Sequence, residues 1–526
     1  MGIAYVREKM AGLSSSVRTW HRLLRGAVFF LLIAIGITGC SSAPETDSNA
    51  PPPFVDVFHY DAAFRLVARQ SLPDRLDVYI AIGGSLAEEG RVERAVIVLS
   101  YAEALLESGD FAEDVRFDLW SRAVAAWQSV AARDETRAAT VDEKAIEMLN
   151  AAGRVDDPTL QARVFRVFFT ALLDNPNADE GVIRRALDLA YLIDTDEVRA
   201  EVLVDAADQV EGRDDRVSLN PLAQQAIATI PALDDPLLAV DLGARLAVLS
   251  VVLGRPGDAV SLVDRVVQRS EAGLVVDPTE QARLRRLVTS LVSADGYEAI
   301  PRILANVVPQ RMRVLGYGWY AESLWEADRD DEALAVFEEA YRLAVSVGDV
   351  GMRVETRALL IRLRARQEPA WDAPAAAASL LADVRLASLA GSRRESIISS
   401  IAVAYALSGR PELTDRLRGL IVSGDEFARI NIRIAEQLTE YGRRGDAVSF
   451  LREVSAMPAP GLEDAITPEQ RAAEVWYRLG EYDRAITVAL GRDDLEVARL
   501  LARTPASHQI NPATRGELAR RVDSVS

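Results

Sequence analysis

Punctuation constrains this chain more than any single motif does. From about residue 54 onward, glycine and proline interrupt it at short intervals, and between them lie stretches of about 12 to 18 residues rich in Ala, Leu, Arg and Glu. Those residues are good helix formers, and the apolar ones recur at i, i+3, i+4 and i+7, which places them on one face of a helix. Alternating runs of β-branched and aromatic residues are lacking, and the Asp295-Gly296 pair does not sit between two such runs. The pattern predicts an all-α fold made of short helices joined by short turns.

Helices of this length raise the question of an internal repeat. When the chain is aligned on Gly90 and Ala95, Tyr79, Ile82, Gly83, Leu86, Leu99 and Ala102 fall into a register that recurs along the sequence. It returns with Tyr317, Tyr320, Ala321, Leu324, Ala333, Phe337 and Ala340, where Asp328 replaces the turn glycine. Further copies carry Ile434, Ala435, Leu438, Gly442, Ala447 and Leu451, then Ala472, Ala473, Trp476, Gly480, Tyr482 and Ala485. Weaker ones hold Leu246, Ala247, Gly254, Ala259 and Val263, then Leu287, Ala299 and Ile303, then Ile401, Ala402, Tyr405 and Gly409.

This register resembles the tetratricopeptide repeat. The resemblance implies a right-handed α-solenoid of helix pairs, with small residues where the two helices of a pair cross and large ones filling the flanking gaps. The spacing drifts: Ala259 to Ala299 is 40 residues, Ala299 to Ala333 is 34, and Ala447 to Ala485 is 38. Regions 111–240 and 349–395 read as helical without a clear register, so an irregular helical bundle stays open as the alternative. Glu368 to Pro374, with Pro369 and Pro374, is a candidate hinge, and Pro458 and Pro460 mark another loop.

The first 39 residues differ in character. Arg7, Lys9, Arg18, Arg22 and Arg25 stand against the single acid Glu8, and an apolar run from Gly26 to Ile37 follows. A run of about a dozen residues is short for a membrane span, which needs roughly 20, and ends at small residues as a cleavable signal does. Ile37, Thr38, Gly39 and Cys40 resemble the lipobox of bacterial lipoproteins position by position. That resemblance implies cleavage between Gly39 and Cys40 and a diacylglycerol on the Cys40 thiol. Cys40 is also the only cysteine, so the thiol has no partner within the chain. Residues 40–53 hold no large apolar side chain and read as a flexible tether, stiffened at its end by Pro51 to Pro53. Three segments are expected: a signal peptide at 1–39, a tether at 40–53 and a helical array at 54–526. Ser41 after the cysteine implies the outer membrane under the enterobacterial sorting rule, facing the periplasm. An uncleaved N-terminal anchor is the other reading.

The whole chain holds 60 basic and 79 acidic residues for a net charge of −19. The leader contains five of the former and one of the latter, so the array is more acidic still. Nucleic acid is therefore a poor partner, since phosphates require a basic face.

Catalytic inventory is thin. Of the histidines, His21 lies in the leader, His59 near the tether and His508 near the C-terminus. No Gly-x-Ser-x-Gly elbow, phosphate-cradling loop with lysine or His-Glu-x-x-His motif is present. The carboxylate clusters Glu88-Glu89, Asp214-Asp215, Asp234-Asp235 and Asp328 to Asp331 fall at predicted turns or helix starts, where acids cap the backbone. Asn175 to Gly181 looks like a calcium loop only faintly, because Ala186 stands where a bidentate acid is needed. The expectation is a non-enzymatic chain without cofactor or metal.

Binding is the more promising use, since stacked helix pairs line a concave side with their first helices. Positions one residue after each first-helix small residue are Glu322, Glu436 and Glu474, with Trp325, Glu326, Glu440 and Tyr477 on or beside the same stripe. These residues predict an acidic, aromatic-dotted groove for a basic or extended segment of another envelope protein, with the bilayer as second partner through Cys40. Two other readings stay open: a helical cell-wall hydrolase using paired carboxylates, and a spacer with no specific ligand.

Overall fold

A computed structural model describes residues 57–155, 157, 160–161, 163–168, 188–190, 193, 195–210, 224, 226–382, 389–421, 423–455, 468–490 and 493–525. They belong to one unit, Pro52–Ser526. Cys40 and the segments expected to be a signal peptide and a tether, together with Asp214-Asp215 and Asn175 to Gly181, lie outside the described residues. No described helix is long and apolar enough to cross a membrane.

The unit is an all-α solenoid. Its described helices are α1 Phe58–Val67, α2 Leu72–Glu88, α3 Val92–Ser108, α4 Glu113–Ala131, α5 Ala138–Ala152, α6 Asp196–Val210, α7 Pro236–Val252, α8 Pro256–Ser270, α9 Gln281–Ser293, α10 Ala299–Ala305 and α11 Gln310–Glu326. They continue as α12 Asp330–Ala344, α13 Val350–Gln367, α14 Ala373–Ala382, α15 Gly391–Leu407, α16 Asp415–Arg418, α17 Gly424–Glu440, α18 Arg444–Ser455, α19 Pro468–Arg478, α20 Tyr482–Leu490, α21 Asp494–Arg503 and α22 Pro512–Val525. Two short strands, β1 Leu274–Val275 and β2 Val307–Val308, pair in parallel.

Local chemistry explains where these helices begin. Ser71, Asp235, Asp349, Ser423 and Asp493 each accept a hydrogen bond from a backbone N–H in the first turn of the helix that follows, satisfying donors the helix itself leaves open.

They end by one recurrent device. After α2, α7, α15, α17 and α19 a glycine adopts positive φ (Gly90, Gly254, Gly409, Gly442 and Gly480), and after α9 and α11 Asp295 and Asp328 adopt it instead. In every case the next N–H reaches back five residues to a helical carbonyl, as Arg91 does to Leu86, Arg329 to Leu324 and Glu481 to Trp476. The turn then feeds the next helix at a fixed angle.

Two kinds of helix result. First helices such as α7 and α15 are buried on nearly every side, because a second helix and two neighbouring first helices cover them. Second helices such as α8 and α12 bury one face, through Ala259, Leu262 and Val266 or Ala333, Phe337 and Ala340. The crossing alanines Ala259, Ala299, Ala333, Ala447 and Ala485 are all buried, as the repeat register predicts. Glycine serves the same closeness in first helices: a Cβ on Gly83 would lie 2.5 Å from Leu99, and one on Gly316 2.5 Å from Leu304. The 368–374 stretch forms the turn into α14, and Trp371 packs edge-on against Phe337 at 6.5 Å.

First helices pack side by side from α6 through α7, α9, α11, α13, α15 and α17 to α19, and α2 packs on α4. Arg166 bridges the segment after α5 to α6 through Glu201 and Asp205. The two ends of the series then meet. α21 packs on α2, and α1, the first described helix, packs on α21 as its outer partner. The last helix pair is thus assembled from opposite ends of the sequence, and the array closes on itself.

Candidate partner-binding cavity on the first-helix face

Ion pairs run from one first helix to the next around this layer. Asp77 of α2 pairs with Arg122 of α4, Asp205 with Arg245 at 2.7 Å, and Asp241 with Arg286 at 3.1 Å. Glu395 pairs with Arg429 and Glu436 with Arg471, at 2.8 and 2.7 Å. Arg499 of α21 reaches Asp77 at 2.8 Å and Asp74 at 3.3 Å, which carries the series across the junction of the two chain ends. Where such a pair is buried, its geometric demand fixes the register of neighbouring helices more than it adds net stability.

Four of the five acids expected to line a groove, Glu322, Glu326, Glu436 and Glu474, take part in this stapling. Glu322 is buried and accepts from Arg285 at 2.9 Å and from Arg366 at 2.6 Å, while Glu326 lies 3.4 Å from Arg366. Glu474 pairs with Arg503 at 2.8 Å. Trp325 is buried with its ring centroid 5.9 Å from that of Phe337. Tyr477 donates its hydroxyl to the Arg503 carbonyl and packs against Tyr482. Glu436 and Glu440 are the two of the seven that line a cavity on the first-helix face.

That cavity, about 930 Å³, is lined by six consecutive first helices, α9 through α19. The spacing that builds it is helical: Glu355, Leu359, Arg362, Leu363 and Arg366 form a stripe on α13, and Arg429, Arg433, Glu436, Gln437 and Glu440 form the matching stripe on α17. Arg285, Arg311 and Arg471 complete a set of seven arginines, against the glutamates Glu355, Glu395, Glu436 and Glu440. The charge facing this space is therefore net positive, although the sequence reading gave an acidic stripe. The reason is that Arg362 and Arg366 on α13 and Arg429 and Arg433 on α17 face the same space as the chosen Glu436 and Glu440 and outnumber them. An arginine stripe at i and i+4 on α17 was visible in the sequence, but a charged helix face reads as ordinary solvated surface.

Apolar area is present too. Leu315, Trp319, Leu359, Leu363 and the ring of Tyr441 contribute to the lining, with the Arg366 guanidinium 5.0 Å from the Tyr441 ring centre.

Six of the seven arginines are held by this chain. Arg285 and Arg366 bond Glu322, Arg311 bonds Glu355, Arg362 donates to Gln437 at 2.6 Å, Arg429 bonds Glu395 and Arg471 bonds Glu436. Among the described residues, the half-buried Arg433 has no carboxylate or amide bonded to its guanidinium. Burial and the neighbouring charge of Arg362 hold it below its ordinary pKa, while Glu355 and Glu395 pull the other way. The Nε atoms of Arg311 and Arg362 are also buried without a hydrogen-bond partner.

The remaining chemistry is structural. His59 lies against the Thr504 carbonyl at 3.2 Å, and His508 lies 3.2 Å from Asp483. Glu88-Glu89, Asp234-Asp235 and Asp328 to Asp331 do not line the cavity. Among the described residues no group of His, Cys, Asp and Glu is placed to hold a metal ion.

No family model and no curated protein matches this chain. Among solved structures, Ton1535 from Thermococcus onnurineus NA1 aligns at 14% identity over 77% of this chain and 99% of its own, with a TM-score of 0.26. Aspartyl phosphate phosphatase F from Bacillus subtilis aligns at 12% identity over 74% and 97%, with a TM-score of 0.24. A circular tandem repeat protein with novel repeat topology aligns at 15% over 89% and 96%, with a TM-score of 0.16. Scores this low carry no functional argument, and the class of protein, an all-α helical repeat, rests on the helix pairing described above.

Proposed function

We propose that this chain is a cell-envelope scaffold, fastened to a membrane by lipid on Cys40, that receives a segment of another protein against its first-helix face. The observation that carries the reading is the cavity of about 930 Å³ shared by six consecutive first helices, the face on which solenoids grip extended partners. The address is supported by Ile37 to Cys40 and by the charged and apolar run before it. Two or three acyl chains, at about 0.8 kcal/mol per buried methylene, hold a protein to a bilayer firmly. The outer membrane, periplasmic side, is the location we assign.

Two measurements test it. Cys40→Ser should shift the protein from the membrane pellet to the soluble fraction; continued pelleting would end the lipid-anchor reading. A photo-crosslinker placed at Gln437 should capture a discrete envelope protein, whereas the same group at Glu412, on a distant surface, should not. Equal capture at both positions would remove the cavity as the docking face.

A further inference from the structure

Resting on the reading of this face as a docking surface, we propose that the cavity selects an acidic peptide segment with apolar side chains, and that Arg433 receives one of its carboxylates. The sign follows from the lining: seven arginines face the space against four glutamates, and six of the arginines are already bonded within the chain. Arg433, at the centre of the α17 stripe, is the cation left to bond an incoming group, and the partnerless Nε of Arg362 lies on the facing stripe of α13. A guanidinium takes a carboxylate through two parallel N–H donors, so one acidic side chain satisfies what the protein leaves open. Leu315, Trp319, Leu359 and Leu363 form an apolar floor that would cover aliphatic side chains between the acids. Among the described residues, a basic segment would find one open carboxylate, Glu440 at the end of α17, and would otherwise have to displace Arg311, Arg429 or Arg471 from Glu355, Glu395 and Glu436.

The acidity of the whole chain does not oppose this. Charges farther than a screening length of about 8 Å in physiological salt contribute little, and the side chains that line the cavity are seven arginines against four glutamates. The interaction should weaken as salt rises.

The test uses the full chain in detergent and blocked, dye-labelled peptides of Glu, Leu and Gly, with Gln or Lys replacing Glu in two controls. The Glu peptide should bind at least tenfold more tightly than either control. Arg433→Gln should weaken it by about tenfold or more with the circular dichroism spectrum unchanged. Arg410→Gln, on a remote exposed turn, should leave it as it was. Equal binding of the Gln peptide, an unchanged Arg433→Gln variant, or complete displacement by inorganic phosphate at the peptide's own concentration would each overturn the proposal. Failure here with retained crosslinking at Gln437 discards the charge assignment alone. Failure at Gln437 with retained Glu-peptide binding discards the scaffold reading instead.

Discussion

The Tyr60 hydroxyl donates to the Thr504 carbonyl at 3.0 Å, joining residues 444 positions apart. His59 approaches the same carbonyl from the next position of α1, and Ser85 of α2 donates to the Ala502 carbonyl at 2.9 Å. Three side chains from the start of the array thus satisfy backbone carbonyls at the end of α21, where a helix leaves acceptors open.

His59 makes this junction sensitive to acid. Burial, foremost, lowers its pKa from 6.5 to about 4, the Thr504 hydrogen bond opposing and the charges of His508 and Arg91 adding to the fall. The unfolded chain therefore binds a proton that the folded chain refuses. Stability is fully present above pH 6.5 and falls as pH drops from 6.5 to about 4, by an amount on the order of 3 kcal/mol. Urea titrations across that window should show the slope, and His59→Gln should flatten it.

The buried carboxylate of Glu322 and the more exposed one of Glu436 should respond differently to neutralisation. Glu322→Gln removes the partner shared by Arg285 and Arg366 and should cost about 2–4 kcal/mol. Glu436→Gln loosens a solvated pair with Arg471 and should cost under about 1 kcal/mol, falling further in high salt. Chemical denaturation of both variants at two ionic strengths decides this.

The recurrent turn offers a matched pair of substitutions. Asp328, at φ 57°, occupies a position where most repeats carry glycine, so Asp328→Gly should stabilise the protein by about 0.5–1 kcal/mol. Gly442→Ala, at φ 70° with open space where the methyl would go, should destabilise it by about 1 kcal/mol through backbone strain alone. Thermal melts should show shifts of opposite sign.

Gly83 tests close approach. Gly83→Ala drives a methyl onto Leu99 and should cost about 1–3 kcal/mol despite the better helix propensity of alanine. In a double-mutant cycle, Leu99→Ala should absorb part of that cost, leaving a coupling above about 0.5 kcal/mol; simple additivity would contradict the packing.

Much of the fold was legible from residues such as Ala333, Ala447 and Gly480, because a crossing needs small side chains and a positive-φ turn favours glycine. The substitution of Asp328 at that turn was legible for the same reason. The charge of the cavity was not. Glu322, Glu436 and Glu474 share a register position in the sequence, yet their arginine partners lie 44, 35 and 29 residues away, on the next first helix. Pairing at that range depends on how far each helix is rotated, which the local pattern does not specify. Closure was hidden for a related reason: α1 reads as an ordinary amphipathic helix, and nothing in it names α21 as the partner.

The pairing of α1 with α21 also sets an order of events during synthesis. The segment carrying Tyr60, Phe64, Leu66 and Val67 is among the first of the array to emerge, and its mate is among the last. At about 5–20 residues per second, the 444 positions that separate Tyr60 from Thr504 take roughly 20 to 90 seconds to make. For that interval the apolar face of an amphipathic helix has only α2 to pack on, so the nascent chain must be shielded by another protein or by provisional contacts that it later exchanges.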